Sequence, residues 1–556
     1  MLAGVKMDTY DIREAGPGPI ISNICHQLEV RKTINDVVPW DPKQCLLDPG
    51  THVTALIINI LCRRDPLYRV KEFYEEQDLD LLFGADVEPN NFNDDALGST
   101  LDKIYAAGAK KVFSAMALKA QLKEDIVCRV LHGDTTARLV YGNYRQVEGL
   151  NVTYGYNKEH RADLKQFKVG LVVTEDGFPV IGEILDGNLD DKTWNKQLLA
   201  NLPEHFNLEE LRKVVYVADS ALVTRDNLEM MGTDLRFISR LPDTFKISSE
   251  LTQAAFAKDN WVKLGKLTGG KNSASYEVQE FRRELYGQQY RFLVVHSDYL
   301  DQRKLKGLNS RLQKQKTGLE KAAQKLMKLC FACQADAQEA LTRFFKEQQN
   351  NFYPLSGSAE KYTETVKRRK AGRPAKDEEP ALRVFYKIHV QVGELDKKAY
   401  QRIKEHLSCF VLISNIFDDY SVDGLLKEYK EQSVVENRFK FVKHPLYVGP
   451  LWLQKKERLE AMSYVILMAL AVYIILQRRV RLALEKEDEP LKITGDKKSF
   501  EPTGNKILEL FKPVKIVYIK EGGSVKRFLP ERYLELNRAI KLIGFDMEIY
   551  IKTRSP

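Results

Sequence analysis

Apolar residues recur at helical spacing in HVTALIINILCRR (52–64) and in LGSTLDKIYAAGAKKVFSAMAL (97–118). Pro66 and the Pro89-Asn90-Asn91 stretch separate these runs. The pattern predicts a helical amino-terminal domain over 1–120, a binding or dimerisation module. Near Ile126 the period changes to short β-rich runs: IVCRVLHGDTTARLVYG, FKVGLVVTEDGFPVIGEILDG and KVVYVADSALV, with turn residues Glu175-Asp176-Gly177 between. Helical character from Trp194 to Leu211 before the third run implies a crossover helix between strands. After it, TRDNLEMMG reads as a helix and LRFISRLP as a further strand.

Three short β runs then lie between 260 and 297, followed by a long basic helical stretch over 301–349. A turn-rich linker, KRRKAGRPAKDEEP, leads into LRVFYKIHVQVGE. Core-like helices resume at 397, so the pattern divides an α/β core in two. The first part is 121–241, a β-rich and basic helical insertion is 242–396, the second part is 397–485, and a carboxy-terminal region is 486–556. Ala461 to Leu476 is apolar except for Ser463. As a helix it spans ~24 Å, short of the ~30 Å hydrocarbon core of a bilayer, so it is expected as a buried helix and no membrane is expected as a partner.

Length and composition agree with several folded domains: 556 residues, 44% hydrophobic and 29% charged. Seven scattered cysteines and an amino terminus without a basic-then-apolar pattern imply a reducing, cytoplasmic compartment. Cys330 and Cys333 form a C-x-x-C with no second ligand pair, which favours packing over zinc. The net charge of +9 is unevenly placed. Glu72 to Asp95 holds nine acidic residues and no basic one, whereas 301–376 holds 18 Lys and Arg against 7 Asp and Glu. Such a field suits a polyanion, and Lys367, Arg368, Arg369, Lys370 and Arg373 are its densest part.

Asp134 and Asp219 each follow an apolar strand, the position at which α/β sheets place ligands. Downstream, LLKEYKEQSVVENRFKFVKHP sets Tyr429, Gln432, Glu436 and Lys443 within roughly 60° of one another on a single helix, since each residue advances about 100°. Pro445 ends that helix near Lys443. Periodicity alone is equally satisfied by an amphipathic surface helix.

The row matches Y-x2-R-x3-E-x6-K, a signature of DDE transposases of bacterial insertion sequences, with Gln432 in the arginine position. HGDTT, VADSA and YGYNKEHRADLKQFKVGLVV also resemble segments of that family, and VPWDPKQCLLDPGTHVTALIINIL resembles the amino-terminal domain of one branch. The resemblance implies a ribonuclease-H-like core interrupted before its glutamate helix. It implies that Asp134, Asp219 and Glu436 are catalytic and ligate two Mg²⁺ or Mn²⁺ ions. It further implies that Tyr429, Gln432 and Lys443 hold the terminal DNA strand, that the partners are DNA with terminal inverted repeats and target DNA, and that a homodimer forms on DNA in a bacterial cytoplasm. A resolvase-type nuclease shares the core without needing the helix row, and a non-catalytic DNA-binding descendant is the other rival. Ala371 stands where a minor-groove hook would carry arginine in AGRPAK, and Trp261 is a candidate for base stacking or for the insertion core.

Overall fold

The computed structural model describes residues 9–84, 86–144, 149–267, 273–298, 302–349, 352–366, 381–443, 453, 455–493, 495, 497–521 and 524–553. The chain divides into two compact units: residues 1–240, 285–290 and 414–556 form one, and residues 241–284 and 291–413 the other. The insertion therefore returns to the first unit at Ser414 rather than at 397, because a helix and a strand expected in the core belong to the second unit.

The first unit opens with strand β1 (Thr9–Glu14) and helices α1 (Gly18–Gln27), α2 (Val30–Val37), α3 (Pro49–Cys62), α4 (Val70–Glu75), α5 (Leu79–Phe83), α6 (Asp94–Ala106) and α7 (Ala109–Lys123). Local chemistry sets their starts. Asp48 accepts from the Thr51 amide ahead of Pro49, and Asn93 accepts from the Ala96 amide ahead of α6. Helix α3 is buried on every side from Pro49 to Leu61. Strands β2 (Val130–Val140), β3 (Lys165–Thr174) and β4 (Pro179–Leu185) form an antiparallel meander. Helices α8 (Asp191–His205) and α9 (Leu208–Lys213) lead to β5 (Val215–Ala218), and α10 (Arg225–Met231) leads to β6 (Arg236–Arg240). Strand β5 pairs parallel to β2 and β6 parallel to β5, giving the order β4-β3-β2-β5-β6.

In the second unit, α11 (Lys246–Lys258) precedes strands β7 (Val262–Lys266), β8 (Ser275–Leu285) and β9 (Gln288–Ser297). The basic stretch forms α12 (Gln302–Met327), then come β10 (Cys330–Phe331), α13 (Gln334–Glu347), the hairpin of β11 (Leu355–Thr365) and β12 (Leu382–Val392), α14 (Lys397–Ser408) and β13 (Cys409–Ser414). Trp261 is half-buried, its ring 5.4 Å from Phe256 and 5.7 Å from His296. Cys330 and Cys333 are exposed and free, and the Cys333 sulfur accepts from the Asp336 amide at the start of α13.

The chain re-enters the first unit beside β6. Ser414 Oγ donates to the Phe237 carbonyl at 2.7 Å, and Phe237 N donates to Asn415 Oδ1 at 2.9 Å. Helices α15 (Val422–Glu431), α16 (Ser433–Lys443) and α17 (Lys456–Leu484) follow, then β14 (Leu491–Ile493), β15 (Lys497–Ser499), α18 (Gly504–Phe511), β16 (Lys515–Glu521), β17 (Ser524–Phe528) and α19 (Asn537–Ile543). Helix α17 is long and apolar enough to cross a membrane, yet 94% of its apolar window is buried inside the protein. It packs against α3, α6, α7, α19 and β4. The amino-terminal helices consequently share one hydrophobic core with the strands and with the carboxy-terminal region, instead of standing apart as a domain.

Candidate active site

The parallel register of β2 and β5 pairs Gly133 with Ala218, which sets the next residues, Asp134 and Asp219, side by side. Alternation along both strands places the two carboxylates on the same face. Asp134 Oδ1 accepts from the Thr135 amide at 2.7 Å. Asp219 Oδ1 accepts from the Ala221 amide at 2.9 Å, and Ser239 Oγ donates 2.7 Å to the Asp219 carbonyl, tying that backbone to β6. Burial pushes the Asp134 carboxyl up to about 7, and the neighbouring Asp219 charge adds to the shift. Burial also raises Asp219, against the opposing pull of its bond to Ala221.

Two further charges bear on this pair. Lys158 partly offsets the repulsion at both aspartates, and Asp191 increases it. Asp191, at the start of α8, accepts from Thr135 Oγ1 at 2.5 Å and from Lys168 Nζ at 3.0 Å. Neither Lys158 nor Asp191 was singled out by the sequence pattern, although Lys158 lies within the YGYNKEHRADLKQFKVGLVV segment that carries the resemblance. His132, two residues before Asp134, is fully buried, and neither ring nitrogen has a hydrogen-bond partner among the described residues. Burial lowers its pKa to about 4, so it is neutral near pH 7.

The Tyr-Gln-Glu-Lys row is not one continuous helix. Gln432 is the junction at which α15 stops and α16 starts, so Tyr429 belongs to the first helix and Glu436 to the second. Tyr429 is half-buried. Gln432 is buried, and its Nε2 lies 3.5 Å from the Gly133 carbonyl, directed at the sheet rather than outward. Arg138 Nη1 donates to the Val442 carbonyl at the other end of α16. Five residues of strand and ten of helix both span roughly 15–17 Å, so α16 runs along β2 in the same direction. Arg138 is buried, which lowers its pKa to about 10, and no sequence pattern marked it.

Glu436 is exposed on α16. Among the described residues, no three His, Cys, Asp or Glu side chains are grouped closely enough to hold a metal ion. Asp134 and Asp219 thus come together, and Glu436 is not gathered with them into a closed ligand set. The side chain of Lys443 lies outside the described residues, as do Lys367, Arg368, Arg369, Lys370, Arg373 and the whole AGRPAK segment.

Residues 11–118, from β1 through most of α7, match a family described as "Domain of unknown function (DUF4277)". No curated protein matches the chain. Among solved structures, the chain is similar to the piggyBac transposase synaptic complex with hairpin DNA at 8% identity and a TM-score of 0.38, covering 91% of this chain and 82% of that one. It is also similar to the Mos1 transposase paired-end complex with left transposon end at 11% identity and a TM-score of 0.13, covering 35% and 57%. Neither score is high enough to identify a shared fold.

Proposed function

We propose that this chain is a DDE transposase, with a ribonuclease-H-like core, that cuts DNA at the ends of a mobile element and joins those ends to target DNA. The observation that carries the reading is the juxtaposition of Asp134, on β2, with Asp219, the residue that follows parallel strand β5, in a setting buried enough to raise both carboxyl pKa values. Two like charges held together in such a place suit hard divalent cations, which take carboxylate oxygens while keeping positions for water and phosphate. Mg²⁺ or Mn²⁺ is the fitting ion, and Glu436 is the third ligand in this reading. It lies on α16, which Gln432 and Arg138 hold against the strand of Asp134.

When bound, such ions offset the charge of the scissile phosphate and lower the pKa of an attacking water or DNA hydroxyl. The protein groups do the rest. Asp134 and Asp219 are fixed by the Thr135 and Ala221 amides, so they present their free oxygens in a set direction. Lys158 contributes positive charge toward the same space. Tyr429 and Lys443 are assigned to the terminal strand, whereas Gln432 is a positioning residue for α16. Element ends with inverted repeats, target DNA and a second copy of the chain are the partners this activity requires.

The test compares wild type with Asp134→Asn, Asp219→Asn and Glu436→Gln on DNA carrying the element ends, with Mg²⁺ or Mn²⁺. Each variant is expected to lose cleavage by about a hundredfold or more, as expected when a group acting on the developing charge is removed. Binding to the same DNA should persist, because phosphate contacts elsewhere dominate affinity. Robust cleavage by any of the three removes that residue from the site.

A further inference from the structure

The connection between β2 and β3 carries two strongly exposed aromatic side chains: Tyr156 is 82% exposed and Tyr154 57%. A single exposed ring is ordinary, but these two belong to one connection that also includes Lys158. The backbone that displays them is firmly held. Thr153 and Gln166 exchange backbone hydrogen bonds at 3.1 and 2.8 Å. Gln166 is fully buried, and its Nε2 donates to the carbonyls of Tyr156 at 3.2 Å and Gly187 at 2.7 Å. Asn157, also buried, accepts from the Arg161 amide and donates to the Arg161 carbonyl, closing the turn beyond Tyr156. Lys165 Nζ stands 5.9 Å from the centre of the Tyr154 ring and donates to the Tyr144 carbonyl.

Buried polar anchors beneath exposed rings make a rigid aromatic ledge. The Gln166 amide that holds Tyr156 also holds Gly187, four residues before Asp191, and Asp191 accepts from Thr135 beside Asp134. Lys158 follows Tyr156 by two residues. A ring fixed in water has an open face for a planar partner, and its tyrosine hydroxyl keeps the outer edge soluble. Unpaired bases present such faces, whereas bases within a duplex are already stacked. Cations beside the rings suit the backbone phosphates of the same strand.

We propose that Tyr154 and Tyr156 form a stacking platform for unpaired bases of the DNA strand next to the Asp134–Asp219 pair, with Lys158 on its phosphate. The platform rests on the reading of that pair as a strand-cutting site and specifies the form of DNA held there. It favours a frayed or single-stranded end over an intact duplex.

The test uses the full chain in EDTA, so that binding is read without cleavage. The probes are a single-stranded oligonucleotide containing 2-aminopurine and a duplex of the same length. Wild type is expected to bind the single strand and quench the fluorophore. The double variant Tyr154→Ala, Tyr156→Ala should weaken that binding by about tenfold or more, the scale of losing base–aromatic stacking. Duplex affinity should change less than about twofold, because its phosphate contacts lie elsewhere. Tyr154→Phe with Tyr156→Phe should behave as wild type, since the ring and not the hydroxyl does the stacking. Undiminished single-strand binding by the Ala variant, an equal loss on duplex, a loss in the Phe variant, or no single-strand binding by wild type each overturns the platform. None of these outcomes depends on metal, so the cleavage results for Asp134, Asp219 and Glu436 are decided separately.

Discussion

The side-chain amide of Gln432 reaches within 3.5 Å of the carbonyl oxygen of Gly133, the residue before Asp134. A residue expected on the DNA side of a helix instead lies between that helix and the strand of Asp134. Replacing it with the arginine of the transposase signature would press a larger, charged group into a site only 8% exposed. Gln432→Arg is therefore expected to destabilise the protein by about 1–3 kcal/mol, the usual range for overpacking, and not to tighten binding to element ends. Urea unfolding and end-binding titrations on the same preparation check both halves. A gain in end affinity at unchanged stability would return Gln432 to the DNA face.

Asp134 makes stability fall with rising pH. Its native pKa, raised from 3.8 to about 7, means that the folded state holds a proton that the unfolded chain releases. The stabilisation is complete below pH 4 and is lost as pH rises to 7, at about 1.4 kcal/mol per pKa unit. In EDTA, Asp134→Asn should lose less stability than wild type as pH rises across that window and be more stable than wild type at pH 8. Thermal melts from pH 4 to 8 read the difference. Mn²⁺ at pH 8 should raise the wild-type Tm and raise that of the variant less, since a cation bound only by the folded state stabilises it.

Arg527, on β17, donates to both oxygens of Asp78, and the two side chains are 6% and 4% exposed. Asp78 also caps α5 through the Leu81 amide. Arg527→Met leaves the aspartate buried without its cation and should cost about 3–5 kcal/mol, whereas removing both charges together should cost less. A double-mutant cycle with Asp78→Asn measures the coupling. Additive losses would show that the pair is not coupled.

Ala469 is fully buried within α17. Ala469→Asp places an unpaired carboxylate in the centre of the core and should leave the protein insoluble or unfolded. Ala469→Ser is the milder control, because a hydroxyl can bond back to the preceding turn. Soluble, cooperatively melting Ala469→Asp protein would contradict the packing of α17.

The carboxylate pair was legible in part: Asp219 does follow its strand, β5, whereas Asp134 lies within β2, which runs on for six residues beyond it. The register that puts Asp134 against Asp219 is a long-range pairing that neither strand encodes by itself. The break at Gln432 escaped notice for a different reason: Gln432 keeps helical backbone angles and only its hydrogen bonds shorten to three-residue spacing, which scarcely shifts the phase of an apolar repeat, so α15 and α16 read as one helix. Arg138 and Gln166 went unmarked because a buried polar residue on a strand looks like a solvent-facing one until its partners, Val442 and Gly187, are known. The return of the insertion was placed early because α14 has the periodicity of any core-like helix, and only the packing of its Tyr400, Ile403 and Leu407 on Leu308, Leu312, Leu319 and Tyr353 assigns it to the second unit. The amino-terminal helices read as a domain because a helix buried all round, such as α3, carries no sign of which element covers it.

That cover arrives late. Helix α3 begins at Pro49 and packs against α17, which begins at Lys456. At ribosomal speeds of about 5–20 residues per second, some 20–80 seconds of synthesis separate the two. Throughout that interval the apolar side chains of α3 are without one of the helices they pack against. A chain that stops at a premature termination codon before residue 456 cannot complete this core, so truncated products should be cleared or aggregate rather than persist as separate folded fragments.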